Sequence, residues 1–304
     1  MSVTKQAIKD LALSLGMEMC GVSGLDRFAS APEGRRPGDV LPGCKSVIVV
    51  GQRLLDGVIQ ANFRAFEDGR DDLKGVYGTY GYAMLPNFEL TYVVYAIAKH
   101  IEKSTGAIAM PCSTGPMTNG MQISIRHAAV AAGLGQFGYS SIVLTPEHGP
   151  RVRFGVILTT LELPPDPMYD GPSLCDPAKC GVCEKVCPTG AIRPHGTHEL
   201  EHVEMGGRSY EYTHVHFTNC RKALQAMTKA LGGSGDYLTE SDPTFADLAE
   251  AEARMPIDTM GLQHVSSWHC GKCQTYCPAG NWGERYKKTG LSAGAQKAFV
   301  EEKL

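Results

Sequence analysis

The sequence has no long hydrophobic run, little net charge and only two tryptophans among its 304 residues. No apolar stretch reaches the roughly 18–20 residues that cross a bilayer, so we expect no membrane partner. The formal net charge of −3 provides no field that attracts a polyanion, which argues against DNA and against tRNA as partners. The first residues carry no signal peptide, so we expect a cytosolic protein whose cysteines are reduced.

Cysteine, by contrast, is abundant. The segment from Cys175 to Pro188 reads C-x4-C-x2-C-x3-C-P, and the segment from Cys270 to Pro278 reads C-x2-C-x3-C-P. Bacterial two-cluster ferredoxins use C-x2-C-x2-C-x3-C-P, in which the cysteine before the proline ligates the other cluster. The two runs, with Cys220 between them, therefore predict two [4Fe–4S] clusters.

Exchanging the cysteine before each proline completes both sets of ligands. The first set is Cys175, Cys180, Cys183 and Cys277, and the second set is Cys187, Cys220, Cys270 and Cys273. The four-residue gap after Cys175 departs from the ferredoxin pattern, which leaves another group as an alternative ligand there. Paired C-x2-C also occurs in zinc sites, but zinc requires neither of the two C-P endings.

A segment with four prolines, residues 164–172, divides the chain, because proline extends neither a helix nor a central strand. We predict an α/β cofactor-binding domain over residues 1–163 and a ferredoxin-like domain over residues 164–304. The second domain carries an insertion at about 229–260 with an acidic helix near 245–254.

Hydrophobic periodicity predicts the main elements of the first domain. A helix capped by Thr4 begins the chain, and a second amphipathic helix covers residues 87–104. A short alanine-rich helix covers residues 126–132. Continuous apolar runs at 46–51 and 153–160 indicate buried strands.

Residues 131–138 read A-A-G-L-G-Q-F-G and contain G-x-G-x-x-G. A dinucleotide site requires this pattern after a strand, with an acidic residue about 20 positions later, and neither condition is met here. The glycines instead indicate backbone with positive φ or a close approach to a flat ligand.

This glycine segment resembles that of the corrinoid-dependent reductive dehalogenases and of the related epoxyqueuosine reductases. Residues 144–153 and 156–163 extend the resemblance, which covers roughly residues 110–280 in order and spacing. It implies an α+β protein, with a nitroreductase-like α/β core followed by a bacterial two-cluster ferredoxin-like domain. It also implies cobalamin on that core, with flavin as the alternative cofactor.

The resemblance assigns corrinoid contacts to the glycine segment, with one cluster near the corrin and the other nearer the surface. These contacts are Gly133, Leu134, Gly135 and Gly138, and Ser113 is placed in the same pocket. Epoxyqueuosine reductases carry an acidic proton donor where this chain has Ser113, and a serine is a poor acid near neutral pH. Chemistry on tRNA is therefore the alternative and not the main interpretation.

Reductive dehalogenases protonate their product with a tyrosine that a nearby cation keeps acidic. Tyr77, Tyr80, Tyr82 and Tyr139 offer the phenols, and the candidates carried forward are Tyr139, Tyr80 and Tyr82, with Arg151 or Arg153 as the cation that lowers the phenol pKa. We place Tyr139 first because it follows the glycine turn directly. The alternative is that the segment around Tyr80 is an aromatic loop that packs on the core.

Three histidine and cysteine features are left open. His127 is either a corrin contact or a core histidine. The histidines between residues 195 and 216 suggest a second metal site, or else an exposed hairpin strand over residues 212–217. Cys112 is either a buried apolar side chain or a thiol of the active site.

Together these features predict an oxidoreductase that cleaves a carbon–heteroatom bond in a small organic substrate with cobalamin and two [4Fe–4S] clusters. A low-potential donor such as ferredoxin or flavodoxin would supply its electrons. Two alternatives remain. One is an iron–sulfur protein that reduces a corrinoid on a partner protein, and the other is an epoxyqueuosine reductase-like enzyme.

Overall fold

The computed structural model describes residues 3–82, 84–112, 122–216, 219–220 and 270–280. Its strands are β1 (Met19–Ser23), β2 (Ser46–Arg53), β3 (Ala109–Pro111), β4 (Gln136–Phe137), β5 (Val143–Leu144), β6 (Val152–Thr159), β7 (Glu201–Met205) and β8 (Arg208–Tyr212). Four of them form an antiparallel sheet in the order β1-β2-β6-β3, and β4–β5 and β7–β8 are separate two-stranded ladders.

The helices surround this sheet. In chain order they are α1 (Lys5–Ser14), α2 (Pro37–Val40), α3 (Asp56–Glu67), α4 (Lys74–Tyr77), α5 (Leu85–Thr105), α6 (Ile125–Ala131), α7 (Val182–Lys185) and α8 (Lys272–Thr275). Two 3₁₀ turns lie at Leu25–Phe28 and Asp71–Leu73, and a π-helical turn covers Gly78–Tyr82.

The central strands β2 and β6 are buried along almost their whole length and apolar in their middle, because both of their faces are covered. Alternate residues of β2 point to opposite sides. Val47 and Val49 pack in the core that contains the buried alanines of α6, whereas Ile48 and Val50 pack in the core that contains α1 and α5. The two strands predicted from the apolar runs are confirmed.

Helix ends follow the local sequence. The Thr4 hydroxyl accepts a 3.1 Å hydrogen bond from the amide of Ala7, and Gly106 ends α5 in the left-handed region at φ 72°. The three predicted helices are therefore confirmed, with ends shifted by one or two residues.

The exposed strand expected over residues 212–217 is misplaced. The strand is β8, which ends at Tyr212. Gly206 and Gly207 form the turn before it with φ values of 57° and 74°, as a tight hairpin turn requires, and the pairing that this turn sets ends at Tyr212, before His214 and His216.

The predicted insertion at about 229–260 and its acidic helix lie outside the described residues. Within the part of the chain that is described, no helix is both long and apolar enough to cross a membrane.

Candidate metal centre

The cysteines of the two runs form two neighbouring groups in space. Burial raises the pKa of the Cys183 thiol, and Cys277, Cys175 and Cys180 add to this rise through their charges. The thiols of the first predicted set therefore lie around one centre.

The second set converges in the same way. Burial raises the pKa of Cys270 to about 11, an amide hydrogen bond from Lys272 opposes this, and Cys220 and Cys187 add to the rise. Cys273 is influenced by the same thiols and also by Cys183, so the two groups are adjacent. Buried thiols lose their protons when they bind metal, so filling these centres would release protons.

The donor set fits iron–sulfur clusters. Each group offers four thiols, which is the ligand set of a [4Fe–4S] cluster. Among the described residues, no three His, Cys, Asp or Glu side chains stand close enough together to hold a single metal ion.

The second cysteine run is attached to the α/β core by buried polar side chains. The amide nitrogen of Asn62 donates to the carbonyl of Cys270 at 3.1 Å and to the hydroxyl of Thr275 at 2.8 Å. The Tyr77 hydroxyl donates to Oε1 of Gln274 at 2.5 Å. Helices α3 and α4, which carry Asn62 and Tyr77, therefore position α8, which carries Cys273.

Arg151 makes the third attachment. Its side chain is buried, and its guanidinium donates to the carbonyl of Cys277 at 2.8 Å and to that of Gln274 at 3.2 Å. It also donates to the carbonyl of Ala279. The predicted cation thus lies against the end of the second cysteine run.

Backbones meet directly beside this arginine. A Cβ atom on Gly149 would lie 2.2 Å from the carbonyl oxygen of Ala279, and one on Gly280 would lie 2.0 Å from the amide nitrogen of Gly149. Glycine at both positions allows the turn between β5 and β6 to contact the cluster segment without a gap.

Tyr139 contacts the first cysteine run. Its amide donates to the sulfur of Cys175 at 3.4 Å, and its hydroxyl donates to the carbonyl of Arg193 at 2.7 Å. The side chain is 4 % exposed, and burial raises its pKa. This direction is opposite to the lowered pKa that the proton-donor prediction requires.

The other predicted donors lie elsewhere. Tyr80 is 51 % exposed in the π-helical turn, and Tyr82 ends the same turn. Arg153 lies on β6 opposite Gln52. Ser113 is outside the described residues.

The glycine segment makes its close contacts within the chain. Gly133 has a φ of 79°, and a Cβ there would lie 2.1 Å from the carbonyl oxygen of Pro167. A Cβ on Gly135 would lie 2.0 Å from the carbonyl oxygen of Leu144. These backbone contacts explain why residues 133 and 135 are glycines. Contact with a corrinoid remains a prediction for Gly133, Leu134, Gly135 and Gly138.

A cavity of about 700 Å³ opens beside the start of α6, with Phe28, Ile123 and Met205 among its apolar lining residues. His127 lies in its wall, with Nδ1 2.6 Å from the Ser124 hydroxyl and Nε2 3.1 Å from that of Tyr212. Sequence analysis singled out His127 but not this cavity, because its lining comes from three separate segments.

Burial, with a smaller contribution from the Arg126 charge, lowers the pKa of His127 to about 4. The ring packs against Phe137 at a centroid distance of 4.9 Å. His127 is therefore neutral near neutral pH and is enclosed by aromatic side chains.

Comparisons with known proteins agree with this site. A family model described as "4Fe-4S binding domain" matches residues 179–193. The chain is 28 % identical over 210 residues to an epoxyqueuosine reductase of Salmonella typhimurium, covering 62 % of this chain and 51 % of that protein. It is 36 % identical over 102 residues to a tetrachloroethene reductive dehalogenase of Desulfitobacterium hafniense, covering 33 % and 17 %. The chain thus matches about half the length of the first relative.

Solved structures share the fold. An epoxyqueuosine reductase with a modified tRNA-Tyr stem loop matches 97 % of this chain and 70 % of its own, with a TM-score of 0.54 at 15 % identity. A catabolic reductive dehalogenase matches 86 % and 35 %, with a TM-score of 0.51 at 19 % identity. The predicted fold class is confirmed. The tRNA in the first structure means that the expectation against a tRNA partner has no support.

Proposed function

Because the chain is related to both epoxyqueuosine reductases and reductive dehalogenases, we propose that it is a corrinoid-dependent iron–sulfur reductase. In this proposal it cleaves a carbon–heteroatom bond in a small organic substrate. The observation that supports it is the convergence of two four-cysteine sets on an α/β core, where Asn62, Tyr77 and Arg151 bind the second run.

The thiolates of the two sets hold the clusters, which take up single electrons from a low-potential donor such as a ferredoxin or flavodoxin. When bound, the corrinoid supplies a strong nucleophile and reductant. The cavity beside α6 has a volume within the roughly 300–1,000 Å³ of ligand pockets, and its lining combines apolar side chains with charged ones such as Arg27, Arg35 and Glu204, but it includes none of the glycine-segment residues. Gly133, Leu134, Gly135, Gly138 and Ser113 remain the contacts proposed from the resemblance.

Reductive cleavage leaves a carbanion-like centre that needs a proton from a positioned acid. Tyr139 is buried, and its hydroxyl already donates a hydrogen bond to the backbone carbonyl of Arg193. The side chain of Tyr80 is half exposed and can therefore reach a bound substrate. Tyr80 is accordingly the first candidate for the proton donor, Tyr139 the second and Tyr82 the third. Arg151 and Arg153 remain the proposed cations.

Anaerobic reconstitution tests the proposal. Protein supplied with iron, sulfide and cobalamin should bind about eight irons, four for each cluster, and one corrinoid. Absorbance and EPR spectra report both groups. With a reductant and a halogenated phenol or alkene, halide should be released. Binding of about eight irons without a corrinoid would contradict the proposal, and flavin in the purified protein would identify the alternative cofactor.

A second candidate is reduction of epoxyqueuosine in tRNA. It is supported by the match to an epoxyqueuosine reductase, which covers 62 % of this chain against 33 % for the dehalogenase. The same reconstituted protein incubated with epoxyqueuosine-containing tRNA distinguishes the two. Conversion of the tRNA without halide release favours the second candidate. If neither substrate reacts but a corrinoid protein is reduced, the chain is an electron-transfer protein.

A further inference from the structure

Arg151 is the cation that contacts the end of the second cysteine run most extensively. Its guanidinium donates to three carbonyls, two of them on Gln274 and Cys277, and only 4 % of the residue is exposed. A positive charge in such a place is screened far less by water and salt than a charge at the surface.

This charge acts on the first cysteine set. The guanidinium donates to the carbonyl of Cys277 itself, at 2.8 Å, and Cys277 is the ligand that the second run contributes to this set. A charge that favours a thiolate also favours the extra negative charge of a reduced cluster. The Tyr139 amide, 3.4 Å from the Cys175 sulfur, acts in the same sense on the same set, because hydrogen bonds to the sulfurs tune cluster potentials.

We propose that Arg151 raises the reduction potential of the cluster held by Cys175, Cys180, Cys183 and Cys277. With Arg151 in place, this cluster is reduced more easily than it would be without that charge. This role of Arg151 rests on one part of the proposed function, namely that the two clusters are present. In this role Arg151 is a positioning residue, because it acts on the cluster through the thiolates.

The second cysteine set has its own cation, which provides a matched comparison. Lys272 lies between Cys270 and Cys273 in sequence, its amide donates to Cys270, and its ammonium lies 4.4 Å from the centroid of the Phe66 ring. Removing each cation in turn should therefore lower a different midpoint potential.

The experiment is an EPR-monitored redox titration of reconstituted wild type, Arg151→Gln, Arg151→Lys and Lys272→Met. Arg151→Gln should lower one midpoint, so that at a fixed potential the ratio of reduced to oxidised cluster falls on the order of tenfold, equivalent to about 59 mV. Arg151→Lys should retain most of the wild-type value. Lys272→Met should lower the other midpoint, and Lys179→Met, which removes an exposed charge, should move neither.

Two results would overturn the proposal. One is an Arg151→Gln protein with about eight irons and unchanged midpoints. The other is a pair of variants, at Arg151 and Lys272, that move the same midpoint.

If Arg151→Gln fails to assemble its clusters, Gln274→Glu provides the second route. This variant places a carboxylate beside the carbonyl of Pro150, the residue before Arg151, and should lower the same midpoint as loss of Arg151. An unchanged midpoint in Gln274→Glu would contradict the proposal. Loss of corrinoid binding with shifted potentials would reject the proposed function alone, so the two failures are distinguishable.

Discussion

The hydroxyl of Tyr77 donates a 2.5 Å hydrogen bond to Oε1 of Gln274, 197 positions later in the sequence, and both residues are buried. Tyr77→Phe removes this donor, so the buried side-chain oxygen of Gln274 loses that hydrogen bond. We expect a loss of about 1–3 kcal/mol in the free energy of unfolding and faster loss of iron. Anaerobic thermal unfolding and iron release to a chelator measure both effects.

Tyr92→Phe is the matched control for this variant, because it removes the same hydroxyl from a side chain that is 64 % exposed. It should change neither measurement. Equal effects of the two variants would show that the Tyr77–Gln274 contact does not attach the second cysteine run.

The glycine segment yields a prediction about stability. Gly133→Ala would place a Cβ 2.1 Å from the carbonyl of Pro167 on backbone with a φ of 79°. We expect a loss on the order of 3 kcal/mol. Gly34→Ala at a φ of 76° meets nothing within 4 Å, so it should cost only about 1 kcal/mol of backbone strain. A similar cost for both variants, measured by denaturant unfolding, would show that contact with Pro167 is unimportant.

The division of the cysteines predicts which iron is lost. Cys183→Ala should remove about four of eight irons, because Cys183 belongs to one set only. Cys112→Ala removes another buried thiol, outside both runs, and should leave the iron content unchanged. Iron and sulfide analysis of purified protein checks both. Retention of all irons by Cys183→Ala would reject its place in the first set.

The environment of His127 predicts how stability depends on pH. Burial and Arg126 lower its pKa to about 4, whereas the unfolded chain titrates near 6.5. The unfolded state therefore takes up the proton first, and stability falls as the pH drops below about 6.5. Between pH 7.5 and 5.5 this group should cost roughly 1 kcal/mol.

His127→Gln should lose this part of the pH dependence, although it is destabilised at both pH values. Thermal unfolding at the two pH values provides the comparison. A His127→Gln protein with the same slope as wild type would show that other groups cause the pH dependence.

The Tyr139→Phe variant distinguishes a structural role of the Tyr139 hydroxyl from a catalytic one. Tyr139→Phe loses the hydrogen bond to Arg193 and should cost about 1 kcal/mol of stability while corrinoid binding and turnover are retained. Turnover that falls by two or more orders of magnitude with normal corrinoid binding would instead identify Tyr139 as the proton donor.

The periodic elements were predictable because their signals are local. Thr4 caps α1 through an amide only three residues away, and the apolar run of β2 reflects a strand buried on both faces. The division of the cysteines follows from a local signal as well, because the proline after Cys187 and after Cys277 marks the ligand that crosses to the other set, and this division remains a prediction.

The remaining features depend on contacts between distant segments. Nothing in the sequence near Arg151 indicates that it binds the carbonyl of Cys277, 126 positions later. Its proposed pairing with a tyrosine rests on its charge alone, because a sequence gives a charge but not its neighbours. The glycines at 133 and 135 were ambiguous for the same reason, since a ligand and a facing backbone both require a missing Cβ.

The contact of Gly149 with Gly280 has a consequence for biosynthesis. The first set of ligands is complete only when Cys277 lies against a folded core. Synthesis of the first run therefore provides only three of the four ligands of that set. Iron insertion at that centre must wait until residue 277 has left the ribosome. A chain cut short before residue 277 would present three unpaired thiols to the cell, which favours its oxidation and degradation.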